Sequence, residues 1–439
     1  MEATTSVKQT NPVRYSVGFF GLSIPINMFR IYAAYFYVNY LGAVTTQQLA
    51  LIMFIYAFID ALDNPVYGLL SDRLRTPWGR RKPLMVLGAP LLVLSLVMFF
   101  NPPDVMAQGS LFWYMLVMYI LTGTLDSFVG SSYGALFPEL FKSEGIRSRT
   151  NAIRQAFQLV AMVISIALTP VVADAIGYSL TSILYGLLAL AAIWYMAFGC
   201  HEDPEASKTP KPEFFKSVWQ ILTNSKFWIF GVTNALYYGG QGTLLVAVPF
   251  YVYHTLGLGA LQATILQGAI IAVAISCIPV WVRITRRLGL MKTWRTALIV
   301  ISVSFIPMYF VNSLVTAVVA MSFFGFGIAG AFATIDVVGA RILDDDAQRH
   351  GVRREGFFSS VGGVLNRLSG LFGALAFLLV YTIFAFESGE SPGPNPAAAA
   401  RFLLVVFPFC TVVLSACTSF ALRFKNRDEV TSEAANPES

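Results

Sequence analysis

Residues 58 to 65 read FIDALDNP and place Asp60, Asp63 and Asn64 near the end of an apolar run that begins around Leu49. On a helix, spacings of i, i+3 and i+4 put all three on one face. An unpaired carboxylate at membrane depth costs roughly 2.5–3.5 kcal/mol on insertion scales, so the two aspartates need a partner. Two carboxylates and an amide oxygen form the kind of hard oxygen set that Na+ takes. A proton could serve instead, because burial disfavours the charged form of a carboxyl group. Pro65 follows and can free a backbone carbonyl locally. A purely structural reading also stands, in which Asp60 and Asp63 neutralise Arg154 or Arg30.

Arg30, Arg154 and Arg367 lie inside apolar runs as well. A guanidinium at that depth faces a partner or a water-filled cavity, and its planar fork suits a carboxylate. Arg30 and Arg367 are therefore candidates for holding an acidic substrate. Pairing with Asp60, Asp63, Asp126 or Asp336 is the alternative. Further polar groups in apolar runs are Asn27, Tyr32 and Tyr35, then Asp126 to Tyr133, then Asn234, Tyr237, Tyr238 and Gln241. Aromatic rings beside polar groups suit the faces of a sugar, although packing and interfacial seating are commoner uses. Trp113 and Trp281, near the ends of apolar runs, read as interface anchors.

The elements that would carry these residues are membrane helices. The 439 residues are 56% hydrophobic and 12% charged, against roughly 25% charged in soluble proteins, and the mean hydropathy is +0.65. A span takes about 20 residues. Apolar windows of that size fall near 15–40, 48–70, 84–101, 110–137, 151–174, 177–199, 226–252, 259–282, 293–312, 314–340, 357–385 and 400–423. Loops 71–83, 139–150, 200–225, 283–292 and 341–355 and the tail carry the basic residues, while the alternate loops nearly lack them. The positive-inside rule then puts both termini and the basic loops in the cytoplasm. The net charge of +6 reflects that bias and gives no nucleic-acid signal. The polar start runs into a full span rather than a cleavable signal peptide. The four cysteines show no metal spacing and read as structural thiols, and the three histidines form no ligand cluster. No nucleophile motif or nucleotide loop suggests an enzyme, and no cofactor is expected beyond a coupling ion, Na+ or H+.

The polar stretch HEDPEASKTPKPEFFKS separates six windows from six. The expected organisation is a helical bundle over 1–200, a linker at 201–225, a second bundle over 226–425 and a tail at 426–439. Basic turns containing a Gly and a Trp follow windows two and eight, which suggests an internal duplication. Two such halves suit alternating access around a central site.

The stretch DALDNPVYGLLSDRLRTPWGRRKPL resembles the glycoside–pentoside–hexuronide:cation symporters, the melibiose-permease-like branch of the major facilitator superfamily. YGALFPELFKSEGIRSRTNAIRQAF, LDDDAQRHGVRREGFFSS and YSVGFFG are similar to the same branch. The resemblance implies twelve transmembrane helices in two six-helix halves, with cation binding at Asp60, Asp63 and Asn64. The family's usual second aspartate is Asn64 here, and the second carboxylate is Asp63 instead. Arg154 matches an arginine at the substrate and cation site, and Arg367 aligns with a lysine near the cation. Sugar-gripping aspartates of the branch correspond to Ser23 and Gly130, which cannot make that grip, so Asp126 is the candidate substitute. Asn27, Arg30, Tyr237 and Gln241 complete the expected substrate set. Asp72, Arg80 and Arg81, mirrored by Asp344, Asp346, Arg353, Arg354 and Glu355, would latch the cytoplasmic gate.

The expected protein is thus a symporter in a cell membrane, most simply a bacterial inner membrane. It would be a monomer surrounded by lipid, importing a sugar, glycoside or sugar acid as its small-molecule substrate. A lysolipid or amphiphile carrier on the same fold is one alternative, and a non-transporting membrane sensor is another.

Overall fold

The computed structural model describes residues 10–73, 76, 78–79, 81–103, 108–141, 144–201, 223–350, 369–388 and 391–424. Among them the chain is helical, apart from turns and a single-residue bridge between Thr76 and Gly79. The helices are α1 (Pro12–Ala34), α2 (Thr46–Arg73), α3 (Lys82–Phe99), α4 (Gln108–Leu140), α5 (Glu144–Met162), α6 (Thr169–Gly199), α7 (Ser225–His254), α8 (Ala260–Leu288), α9 (Leu290–Tyr309), α10 (Leu314–His350), α11 (Gly370–Phe384), α12 (Pro396–Arg401) and α13 (Phe407–Ser419). Wider π-helical turns extend α1 over Tyr35–Tyr40 and α5 over Val163–Ala167, and join α12 to α13 over Phe402–Val406. Every apolar window overlaps a described helix, the one over 357–385 through Gly370–Phe384, and among the described residues 9 helices are long and apolar enough to cross a membrane.

The boundaries have local causes. The Asn11 side chain accepts from the Val13 amide at 2.9 Å and caps α1, with Pro12 in its first turn. At the start of α2, Thr45 and Gln48 bond each other's amides reciprocally, at 3.0 and 3.2 Å. Asn224 caps α7 through the Lys226 amide. Gly177 has φ +80° and bends the chain between Thr169 and Gly199, so windows 151–174 and 177–199 meet at a residue whose backbone favours glycine.

Helices α1 to α6 pack chiefly on one another, as do α7 to α13. Between the groups, α2 runs along α11, and α8 lies against the π turn after α5. Apolar side chains left outside, such as Leu87, Leu91 and Leu94 on α3 and Trp113 and Val117 on α4, are more than half exposed. Spaced by three and four residues, they form outward stripes suited to lipid. Trp113 is thus placed as an interface anchor would be. Trp281 is not: it is buried, and its indole N–H donates to the Phe326 carbonyl at 2.8 Å. It is a packing residue between α8 and α10, because the turn at Gly289 lets α8 continue beyond it. All four cysteines are free thiols; Cys200 is buried, while Cys410 and Cys417 are exposed.

The groups are joined at the end away from the basic loops. The Tyr32 hydroxyl is shared between the Ile166 carbonyl and the Gln267 side-chain oxygen. Asn39 and His254 bond at 2.6 Å. The Thr46 amide donates to the Glu387 carbonyl at 2.7 Å, and its hydroxyl bonds the Phe386 carbonyl. These contacts close that end.

Candidate functional site

Asp60 and Asp63 project from α2 toward α4. One Asp60 oxygen accepts from the Tyr56 hydroxyl at 3.0 Å and from Ser127 at 3.2 Å. The Asp63 carboxylate accepts from Thr124 at 3.0 Å. Both aspartates are buried. Tyr56 can lie flat against α4 because residue 123 is glycine: a Cβ there would fall 2.1 Å from the tyrosine oxygen.

Arg30, from α1, closes this pocket on the side of the bundle interior. Its Nη2 lies 3.6 Å from Asp126 and 3.9 Å from the second Asp60 oxygen. Asp126 and Asp60 keep only 12% and 6% of their side-chain surface accessible, whereas Arg30 keeps 46%. The guanidinium is therefore a cover over two carboxylates, itself nearly half accessible. Among the described residues, three carboxylates, Asp60, Asp63 and Asp126, share this neighbourhood with the Arg30 guanidinium.

Arg154 stands apart. Its Nη2 donates to Asn151 at 2.9 Å, and its guanidinium carbon lies 4.9 and 5.2 Å from the ring centres of Phe19 and Phe137. Its buried Nε has no hydrogen-bond partner among the described residues. The α7 candidates line the facing side. Gln241 borders a crevice with Leu159, Met162, Ile270 and Phe332 that narrows to about 10 Å³, room for about one water. Tyr237 and Asn234 are buried, and the Tyr237 hydroxyl and the Asn234 oxygen have no hydrogen-bond partner among the described residues. Asp336, one turn beyond Phe332 on α10, is exposed.

The structure thus gathers Asp60, Asp63, Asp126 and Arg30, with Arg30 beside the carboxylates. Asn27 turns away from that cluster and donates to Ser165 on the α5 extension at 3.1 Å. Arg81 pairs with Glu139 at 3.0 Å and ties α3 to α4. Asp346 accepts from Asn224 at 3.1 Å and Asp345 pairs with Lys226 at 2.8 Å, tying α10 to the start of α7; Asp344 beside them is exposed. The side chains of Asn64 and Asp72, and residues Arg80, Arg353, Arg354, Glu355 and Arg367, lie outside the described part of the structure. Ser23 donates back to the Phe19 carbonyl at 2.7 Å, and a Cβ at Gly130 would meet nothing within 4 Å. Tyr56, Gly123 and Thr124 escaped the sequence reading. The signal for Thr124 was a hydroxyl residue one turn before Ser127, matching the one-turn spacing of Asp60 and Asp63.

The model of the MFS/sugar transport protein family matches residues 14–425. The chain belongs to that family. An isoprimeverose transporter of Lactiplantibacillus pentosus is 22% identical over 432 residues, 95% of this chain and 88% of that one. An uncharacterized symporter of Synechocystis is 27% identical over 204 residues, 44% of this chain and 37% of the relative's length. Among solved structures, an inward-facing, unoccupied bacterial homolog of the human lysosomal transporter Spinster superposes with a TM-score of 0.71 at 12% identity. That match covers 94% of this chain and 98% of the other, a likeness of fold. The chain is a multi-pass membrane protein of the major facilitator superfamily, and its family's work is membrane transport of sugars.

Proposed function

We propose that the protein is a secondary active symporter that imports a sugar, glycoside or sugar acid by alternating access, with Na+ or H+ as the coupling ion. The observation that carries this reading is the buried Asp60–Asp63 pair, hydrogen-bonded to α4 and covered by Arg30 at the edge of the bundle interior. Filling that pocket with positive charge would strengthen substrate binding, and the substrate must then strengthen cation binding by the same factor. Membership of a sugar-transport family and full-length similarity to an isoprimeverose transporter support the substrate class. The Arg154 guanidinium, framed by Phe19 and Phe137 and with no partner for its Nε among the described residues, favours a substrate with an acidic group beside its ring. Gln241, Tyr237 and Asp336 would take hydroxyl groups from the other half, in place of the contacts that Ser23 and Gly130 cannot make. The gate residues would close the basic-loop end once the opposite end opens.

The test is thermal stability of the purified protein with sugars, uronides and lysolipids, each with Na+, Li+ or K+ and at two pH values, beside Asp60→Asn. A sugar or uronide that stabilises only with one cation, or at one pH, and only with Asp60 intact supports the reading. Stabilisation by lysolipid alone, indifferent to cation and to Asp60, would replace it with an amphiphile carrier.

A further inference from the structure

Arg30 is the charged group whose position the coupling scheme does not use. It reaches from α1 into the space a coupling cation would occupy between α2 and α4. Its contacts of 3.6 Å to Asp126 and 3.9 Å to Asp60 exceed the 2.7–2.9 Å of a well-formed charge-assisted hydrogen bond. They are electrostatic contacts, strong enough to neutralise and loose enough to release. Nearly half of the side chain remains accessible, so the guanidinium has open space beside it. The buried Tyr56 and Ser127 hydroxyls stay on the other Asp60 oxygen, which holds the carboxylate in place whichever cation faces it.

We propose that Arg30 is a tethered cation that competes with the coupling ion for the Asp60 carboxylate, and so sets the ion affinity of the empty carrier. The inference rests on the reading of Asp60 as part of the coupling site. When Arg30 faces Asp60 and Asp126, an alkali cation entering toward Asp63 and Thr124 meets a fixed positive charge a few ångströms away. When a substrate oxygen draws Arg30 off, that fixed positive charge leaves the ion's neighbourhood. Cation and substrate then help each other by sharing one arginine, with no longer-range conformational signal required. Asp126 is the second anchor: it holds Arg30 near Asp60 rather than binding substrate itself.

The experiment uses the full-length protein in detergent and measures Na+ and Li+ affinity, without sugar, from the cation dependence of thermal stability against choline chloride and from radioactive Na+ binding. Wild type, Arg30→Gln, Arg30→Lys, Asp126→Asn and the charge-balanced double variant Arg30→Gln/Asp126→Asn are compared. Removing a unit charge about 4 Å from the ion should tighten alkali-cation binding by at least about ten-fold. Arg30→Gln should show that gain over wild type, the double variant should show it over Asp126→Asn alone, and Arg30→Lys should keep the weak affinity of the wild type. A merely structural arginine would lose stability on substitution but would not gain cation affinity. Unchanged or weaker cation binding in Arg30→Gln overturns the proposal; if that variant does not fold, binding in the double variant no tighter than in Asp126→Asn alone does so. Equally tight binding in wild type that is abolished by Asp60→Asn also overturns it, while leaving the symporter reading intact. Loss of sugar uptake with the predicted gain in Na+ affinity would instead leave the proposal standing.

Discussion

Tyr32→Phe tests how the closed end is held. The Tyr32 hydroxyl is buried and is shared between the Ile166 carbonyl in its own group and Gln267 on α8. Gln267 is fully buried, and its amide nitrogen reaches the Leu245 carbonyl at 3.4 Å. Phenylalanine fills the same space without the hydroxyl. The closed state loses a hydrogen bond and keeps a buried amide oxygen without its donor, a penalty of roughly 1–3 kcal/mol. Opening that end lets water reach Gln267, so the open state escapes most of the penalty. A difference of that size moves a two-state equilibrium by about 5- to 150-fold. Spin labels at Tyr40 and Tyr253, exposed residues on the two sides of that end, would report it as longer distances in pulsed dipolar spectroscopy. Tyr37→Phe is the control. Its hydroxyl bonds the Phe99 carbonyl at 2.7 Å within one group, so its loss should lower stability without lengthening the distance. If Tyr32→Phe leaves the distribution unchanged, or Tyr37→Phe shifts it equally, the closed end is held by packing and the polar latch is wrong.

Other outcomes follow from the same geometry. Gly123→Ala drives a methyl group into Tyr56 and should destabilise the protein by about 1–3 kcal/mol; in Tyr56→Ala the same substitution should cost far less, as a double-mutant cycle by thermal melts would show. Gly177→Ala asks a non-glycine residue to hold φ +80° and should cost roughly 1–2 kcal/mol, measurable as a lower Tm with sugar uptake retained. Asp345→Asn weakens the 2.8 Å pair with Lys226, whose ammonium also lies 4.8 Å from the Phe424 ring centre. It should lower stability by about 1–3 kcal/mol with unaltered Na+ affinity; a changed affinity would tie α10 to the ion site.

The helical frame was legible because hydrocarbon imposes a length and a composition on anything that crosses it. The windows over 84–101 and 293–312, for example, coincide with α3 and α9 to within a few residues. The shared face of Asp60 and Asp63 followed from helical spacing, and both do turn toward one neighbour, α4. What spacing could not give is which helix faces which. Arg30 had several possible acidic partners, and only the packing of α1 and α2 on α4, which brings Arg30 within 4 Å of both carboxylates, chooses Asp60 and Asp126. Asn27, one turn from Arg30, looked equally suited to the cavity and instead bonds Ser165, because a helix presents successive turns to different neighbours as it crosses them. Trp281 misled for a related reason: closeness to a span end says nothing about whether a side chain turns to lipid or to the next helix.

The most direct test of the account is sugar uptake into proteoliposomes holding the purified protein, with an imposed Na+ or proton gradient and a panel of glycosides and uronides, for wild type and Asp60→Asn. The account predicts that one gradient drives accumulation of at least one sugar in wild type, and that Asp60→Asn abolishes accumulation while permitting exchange of that sugar across the membrane. Accumulation that persists undiminished in Asp60→Asn, or no gradient-driven uptake of any sugar by a folded protein, would contradict it.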